Sequence, residues 1–135
     1  MKVKTICIFM CINFAFVSNV YAKYSMDECM QVANTLNKNF PMTANSYTTI
    51  ENTFCEETKN NRVTLVYLMV RDIGLKSKNE SIKAITESIK KVTQSMCTTS
   101  QTFSLLSNLD IGYNFRSKQG EYLTRFTLKI EDCNQ

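Results

Sequence analysis

The chain has 135 residues, of which 44% are hydrophobic, and a formal net charge of +4. This charge is too small for a typical nucleic-acid-binding protein, and no run of Lys or Arg exceeds two residues. There is no histidine, so a Ser–His or Cys–His catalytic pair cannot be built.

Residues 1–22 are typical of a cleaved signal peptide. Lys2 and Lys4 give a positive start, Ile6–Val17 is an apolar run, and Val20-Tyr21-Ala22 fits a cleavage site. The apolar run is shorter than the roughly 20 residues that a membrane span needs, so an uncleaved anchor helix is the less favoured alternative. The residue immediately after the predicted cut is Lys23 and not a cysteine, so we expect no lipid anchor at the new N-terminus.

The remaining segment, residues 23–135, is long enough for one compact domain and too short for two. We expect it to be an exported, soluble monomer. It contains an even number of cysteines, which predicts two disulfides with three possible connectivities. The simplest pairing is sequential, and a metal site is disfavoured because histidine and C-x-x-C pairs are absent. The cysteines are Cys29, Cys55, Cys97 and Cys133.

The first element is predicted to be a helix that begins with a capping box. Ser25 and Glu28 have the S-x-x-E spacing in which each side chain binds the backbone of the other residue. Cys29, Ala33 and Leu36 then share one helical face. The helix ends before Pro41, since the residue preceding proline avoids the helical region.

Two strands follow. Residues 47–55 are rich in Thr and β-branched side chains, which favours a strand. Strict alternation in this strand places Ile50, Asn52 and Phe54 on one side. The polar run Glu56–Asn61 predicts a turn before the second strand.

The second strand, residues 62–71, is apolar on both faces. Such a strand is either central and covered twice, or keeps one face for a partner, and the sequence leaves both alternatives open. One face contains Val63, Leu65, Tyr67 and Met69, and the other contains Val66, Leu68 and Val70. We predict the second set as the partner-binding residues.

The last third of the chain predicts a long helix, a short helix and a β-hairpin. Ser77 and Glu80 repeat the capping box. The segment Thr98–Ser107 predicts the short helix, and Ser117–Gly120 predicts the hairpin turn. The long helix has an apolar stripe of Ile82, Ile85, Ile89, Val92 and Met96. The two strands alternate with Ile111, Tyr113 and Phe115, then Tyr122, Phe126, Leu128 and Ile130.

The predicted order is helix, strand, strand, helix, short helix, strand, strand. This order predicts an α+β fold with a four-stranded antiparallel sheet and helices packed on one face. The preferred disulfides, Cys29–Cys55 and Cys97–Cys133, would tie the first helix to the first strand and the long helix to the last strand.

The sequence predicts no enzyme, no metal site and no cofactor. It has no G-x-S-x-G, Walker or H-E-x-x-H pattern. The adjacent carboxylates Glu56-Glu57 and Glu131-Asp132 are typical of solvated surface, so we expect neither catalytic residues nor a small-molecule substrate. A further set of Met and aromatic residues is either plain core or a groove for an amphipathic helix. The set is Tyr67, Met69, Met96, Phe103 and Tyr113.

The segment 80–133 resembles a family of secretion accessory proteins. Cys97 closes a helix, Leu105-Leu106 follows in a short turn, Asp110–Arg116 enters a hairpin, and the last strand ends on Glu131-Asp132-Cys133. This pattern resembles the β-type pilotins of type II secretion systems and the periplasmic secretin-assembly proteins of type IVb pilus systems. The resemblance implies a protein that binds a secretin subunit and promotes assembly of the outer-membrane ring.

One departure from the family concerns the membrane. Type II pilotins are lipoproteins, whereas this sequence has no cysteine directly after its predicted cleavage site that could carry a lipid. The resemblance therefore implies the soluble periplasmic variant, with a secretin subunit as its protein partner. The alternatives are a periplasmic immunity or inhibitor protein that binds a toxin or hydrolase, and a secreted effector that acts outside the cell.

Overall fold

The computed structural model describes residues 23–58 and 61–134, so the predicted signal peptide, residues 1–22, lies outside it. Within the described ranges no helix is long and apolar enough to span a bilayer. In chain order the elements are α1 (Met26–Asn37), β1 (Met42–Asn45), β2 (Thr48–Glu57), β3 (Val63–Arg71), α2 (Lys78–Cys97), α3 (Ser100–Asn108), β4 (Asp110–Ser117), β5 (Tyr122–Leu128) and a 3-10 helix (Ile130–Asn134).

The described strands form one mixed sheet with the spatial order β1-β2-β3-β4-β5. Neighbouring strands are antiparallel except β3 and β4, which are parallel. The α+β class is confirmed, but the prediction of four antiparallel strands is wrong. The helices α2 and α3 connect β3 to β4, and a helical crossover of this kind joins parallel strands.

The strand that sequence reasoning missed is β1, at one edge of the sheet. Its residues Met42–Asn45 are all exposed, and they pair with the start of β2 through an irregular register. Because neither face of β1 is buried, no apolar alternation marks it in the sequence. Pairing with β2 alone makes this segment a strand.

A β-bulge changes which side of β2 its residues face. Ile50 pairs with Met69 of β3, and Asn52 pairs with the adjacent Leu68. Two steps along β2 therefore match one step along β3, which leaves Glu51 as the extra residue. The bulge turns Ile50 towards the helices. The prediction that Ile50 shares a side with Asn52 and Phe54 is therefore wrong.

The hydrophobic core lies between the sheet and the three helices. Leu65, Ile111 and Leu106 are fully buried there, together with the disulfide-bonded Cys29. Helix α1 packs on β2 and β3, while α2 contacts β5 and α3 contacts β4. The β3 face predicted to be covered contributes Val63, Leu65, Tyr67 and Met69 to this core.

Both predicted capping boxes are present. The hydroxyls of Ser25 and Ser77 each accept a 3.2 Å hydrogen bond, from the backbone N–H groups of Glu28 and Glu80 respectively. The carboxylate of each glutamate accepts in return from the backbone N–H of its serine, at 3.4 Å. Two otherwise unpaired donors are thus satisfied at each helix start.

The apolar stripe of α2 is narrower than predicted. Ile85 is buried and Ile82, Ile89 and Met96 pack against the core, but Val92 is 42% exposed. The main contacts of α2 are with β5, α3 and the 3-10 helix, and these elements do not cover Val92 at the edge of the stripe.

The last strand also ends earlier than predicted. Strand β5 stops at Leu128, and Ile130 begins the 3-10 helix while still packing against the core. The carboxylate of Asp132 accepts a 2.8 Å hydrogen bond from the backbone N–H of Lys129. This local bond ends the extended conformation two residues before the predicted end.

The two predicted disulfides are confirmed in the preferred connectivity. Cys29 is bonded to Cys55 and ties α1 to β2, while Cys97 is bonded to Cys133 and ties α2 to the 3-10 helix. They link residues 26 and 36 positions apart. In the loop-entropy model each contributes about 3.5–4 kcal/mol, a large share of the stability of a small domain.

Candidate partner-binding face

The helices that the structure describes leave one face of the sheet uncovered, and we call it the open face. Side chains alternate along each strand, so the residues between the core positions point to this side. The strand registers bring together Phe54 and Glu56 on β2, Thr64, Val66, Leu68 and Val70 on β3, Gly112, Asn114 and Arg116 on β4, and Arg125 and Thr127 on β5.

The predicted partner-binding residues Val66, Leu68 and Val70 all lie on the open face. Val66 is 0% exposed although it is not part of the core cluster, whereas Leu68 and Val70 are half-buried. Phe54 pairs with Val66 in the β2–β3 register and is 36% exposed. The accessible apolar surface of this face therefore belongs to Phe54, Leu68 and Val70, with Val66 beneath.

An ion pair crosses one end of the open face. The guanidinium of Arg125 on β5 donates two hydrogen bonds, of 3.2 and 2.6 Å, to the two carboxylate oxygens of Glu56 on β2. These bonds raise the pKa of Arg125 above its ordinary value. The side chain passes over Gly112, where an added Cβ would lie 3.5 Å from Arg125 Nη2 and 3.3 Å from a methyl of Val66. Val66 and Arg125 therefore both border the space above Gly112.

A second ion pair crosses the other end. Arg116 on β4 donates a 2.7 Å hydrogen bond to Glu51, the bulge residue of β2. Arg116 pairs in register with Val70, so its side chain reaches across β3 to make this contact. The bulge is what places Glu51 within reach. The two ion pairs thus frame the strip formed by Phe54, Leu68 and Val70.

Two buried polar atoms of the open face have no hydrogen-bond partner among the described residues. They are Thr64 Oγ1 and Asn114 Oδ1. Asn114 pairs in register with Leu68, at the middle of the apolar strip. A buried acceptor without a partner costs free energy, so this oxygen of Asn114 lowers the stability of the middle of the sheet and is not accessible to a bound chain.

Sequence reasoning placed Leu68 and Val70 on one face, but it missed the contribution of Phe54 to the apolar strip and the ion pairs that frame it. Their partners are 69 and 65 residues apart in sequence. The available signal was the polar character of most outward positions of the hairpin, among them Asn114, Arg116 and Arg125. Nothing in the sequence says which carboxylates these positions face.

The alternative groove of Met and aromatic residues does not form, because the structure places most of its members in the core. Met69 and Tyr113 are buried, and Tyr67 stacks on Tyr113 with ring centroids 5.5 Å apart. The hydroxyl of Tyr113 donates to the sulfur of Met96 at 3.2 Å. Phe103, at 41% exposure, remains on the surface.

The carboxylates of the described residues serve structural contacts or lie on the surface. Glu56 is held by Arg125, while Glu57, Glu131 and Asp132 are exposed. No group of three metal-ligating side chains occurs within residues 23–58 and 61–134. The open face thus offers apolar area and two internally neutral ion pairs, which is a surface suited to binding a protein segment.

No protein-family model matches the sequence, and no curated protein is similar to it. The fold, however, is shared with solved structures. A candidate secreted protein from Pseudomonas aeruginosa superposes with a TM-score of 0.63 at 15% identity, over 80% of this chain and 91% of that one.

Two pilotins share the same fold. The pilotin EpsS of the Vibrio vulnificus type 2 secretion system gives a TM-score of 0.61 at 13% identity, over 80% of this chain and 90% of its own. The type II secretion system pilotin AspS of Vibrio cholerae gives 0.53 at 16% identity, over 78% and 88%. The resemblance to β-type pilotins seen in the sequence is therefore present in the fold.

Proposed function

We propose that this protein is a periplasmic accessory protein that binds a secretin subunit and promotes assembly of the outer-membrane secretin, in type II secretion or type IV pilus biogenesis. The observation that carries the proposal is the fold shared with EpsS over 80% of the chain. The two disulfides add support for an oxidising compartment outside the cytoplasm.

The open face is the proposed docking surface for the secretin segment. Val66, Leu68 and Val70, with Phe54, supply a continuous apolar strip on a rigid sheet. The other face of the sheet is occupied by the protein's own helices. A partner that covers this strip buries apolar area without displacing any element of the domain, which makes it the least costly place to bind.

Charge on the open face favours an apolar rather than a charged segment. Glu51 and Arg116 neutralise each other, as do Glu56 and Arg125. The two ion pairs make the rim of the strip polar but add no net charge to it. We therefore propose that affinity comes from buried apolar area and that the ion pairs limit the register in which a segment can lie.

The first test is affinity purification of the protein from the periplasm and outer membrane of its own cells, with mass spectrometry of the bound chains. We expect a secretin subunit, and we expect that deletion of the gene reduces secretin multimers in the outer membrane. Recovery of a toxin or hydrolase without a secretin would replace the proposal with the inhibitor function.

Substitutions then locate the binding surface. Leu68→Asp and Val70→Asp place a charge on half-buried strip positions, so we expect loss of secretin binding with little loss of stability. Val66→Asp is unsuitable, because an aspartate at this fully buried position would unfold the domain whatever binds there. Val92→Asp, on exposed α2 surface, is the matched control and should bind normally. Normal binding by the Leu68 and Val70 variants would exclude the open face.

A further inference from the structure

A concave site, distinct from the open face, lies at the end of the sheet where β3 leads into α2. It is a cavity of about 450 Å³, within the range of about 300–1,000 Å³ that is usual for small-ligand sites. Its walls come from Tyr47 between β1 and β2, from Arg71 and the loop after it, and from the first turns of α2. The site is separate from the apolar strip of the open face.

Two cations meet at one aromatic ring in this cavity. The guanidinium carbon of Arg71 lies 5.4 Å from the ring centroid of Tyr47, and Nζ of Lys76 lies 5.9 Å from it. Both distances are within the range of a cation–π contact. The ring itself is 58% exposed, so the two positive charges are held beside accessible aromatic surface.

Neither cation has a carboxylate partner in residues 23–58 and 61–134. Among the described ion pairs, none includes Arg71 or Lys76. Arg71 donates one hydrogen bond, to the Thr48 hydroxyl at 2.8 Å, which fixes the guanidinium and leaves its other donors available.

The acidic residues that line the cavity are already engaged. The carboxylate of Asp72 binds Nζ of Lys118 at 3.1 Å and accepts from the backbone N–H of Gly74. That of Glu80 accepts from Ser77 in the capping box of α2. The cavity therefore combines two acids that are held by other groups with two cations that form no ion pair within the described part of the chain.

The rest of the wall is mostly apolar and contains one buried hydroxyl. Ile73, Leu75 and Ala84 contribute aliphatic surface, and the side chain of Leu75 is fully exposed. Ser81 is 2% exposed, and its hydroxyl has no hydrogen-bond partner among the described residues. A ligand that fills this cavity must offer a negative group to the cations and an apolar group to the aliphatic wall.

We propose that this cavity binds a carboxylate carried on a peptide, next to an apolar side chain, with Arg71 and Lys76 as the anion-binding residues and Tyr47 as the platform between them. The carboxylate can come from a chain terminus or from an acidic side chain. A bidentate guanidinium–carboxylate contact fits the free donors of Arg71. The proposal does not rest on the secretin function, since any peptide with this chemistry satisfies the site.

The test is a titration of the purified, disulfide-bonded, ¹⁵N-labelled protein followed by backbone amide shifts. Three peptides of equal length, all acetylated at the N-terminus, are compared. The first ends in leucine with a free C-terminal carboxylate, and the second has an internal glutamate beside leucine and an amidated C-terminus. The third is the neutral version of the second, with glutamine in place of glutamate. Inorganic phosphate is the fourth probe.

We expect saturable shifts at Tyr47, Arg71, Gly74 and Lys76 with one or both acidic peptides and none with the neutral peptide. The stronger acidic peptide identifies the source of the carboxylate. Arg71→Met should weaken binding about tenfold or more, as expected for the loss of one charged hydrogen bond, while Lys91→Met on exposed α2 surface should have no effect.

Three results would overturn the proposal. The neutral peptide could bind as well as the acidic ones, which would mean that no carboxylate is recognised. Phosphate could give the same shifts and displace the acidic peptides at equal concentration, which would make the cations a simple anion site. The shifts could be absent or fall on Leu68 and Val70, which would assign the peptide to the open face.

Discussion

Arg125 on β5 and Glu56 on β2 form a two-bond ion pair although β3 and β4 lie between their strands. The arginine side chain crosses the sheet over Gly112, the one position of β4 where the outward-facing residue has no side chain. A methyl group at Gly112 would lie 3.2 Å from Thr64 Cγ2 and 3.3 Å from Val66 Cγ2. The open face therefore depends on this glycine for space and not for backbone freedom.

Gly112→Ala should destabilise the domain by about 1–3 kcal/mol, because the added methyl overpacks a site bounded by Thr64 and Val66. Urea unfolding followed by circular dichroism measures the change. Thr64→Ser removes the methyl that would make the shortest contact, so the double variant should recover part of the lost stability. Equal costs of Gly112→Ala with and without Thr64→Ser would show that the contact is not the cause.

Asp110→Asn should cost about 2–3 kcal/mol. The carboxylate of Asp110 is buried and accepts a 3.0 Å bond from Arg62, whose guanidinium also donates to the backbone oxygen of Leu106 at 2.9 Å. The substitution leaves a mostly buried cation without its counter-charge. The control is Glu121→Gln, which breaks the exposed ion pair with Lys78 and should cost less than about 0.5 kcal/mol. Similar costs for both variants would contradict the buried role.

Stability should fall above about pH 10, the ordinary pKa of tyrosine in an unfolded chain. Burial, and then the neighbouring Tyr67, raise the pKa of Tyr113 far above that value, and burial raises the pKa of Tyr67 as well. The folded protein therefore keeps these protons while the unfolded chain releases them, so raising the pH favours unfolding.

Urea midpoints between pH 8 and pH 11 measure this effect. In Tyr113→Phe the urea midpoint should fall less steeply with pH than in the unmodified protein. Each protein is compared with its own midpoint at pH 8, because the substitution also removes the hydrogen bond to Met96. An unchanged decline would assign the alkaline sensitivity to other groups.

The Cys97–Cys133 disulfide should be reduced before Cys29–Cys55. Cys29 is 0% exposed and only its partner Cys55 is half-buried, whereas Cys97 and Cys133 are both half-buried, so a thiol can attack either sulfur of the second bridge but only one of the first. Limited treatment with dithiothreitol, alkylation and peptide mass spectrometry gives the order. Under denaturing urea both bridges should react together, which controls for intrinsic reactivity. Earlier labelling of Cys29 in the folded protein would contradict the burial argument.

Removing both cysteines of one bridge tests their contribution to stability. Cys29→Ala with Cys55→Ala should lower the free energy of unfolding by about 2–5 kcal/mol, through a less constrained unfolded chain. Urea unfolding measures the loss.

The sequence by itself determined the features that depend on neighbours along the chain. Period-two alternation identified both faces of β3, the serine–glutamate spacing identified both helix starts, and Gly120 marked the hairpin turn, where its φ is +87°. These signals are local because each follows from the geometry of a few consecutive residues. The even number of cysteines predicted two disulfides, and the simplest of the three possible connectivities is the one in the structure.

Only the tertiary structure decided the features that depend on strand register. The edge strand β1 has no buried face, the parallel pairing of β3 with β4 follows from where α2 and α3 return the chain, and the bulge at Glu51 reverses part of β2. The ion pairs that frame the open face and the meeting of Arg71 with Tyr47 follow from the same registers. Contacts between residues tens of positions apart leave no periodic trace in a sequence, because they depend on how separate elements are aligned and not on the conformation of any one of them.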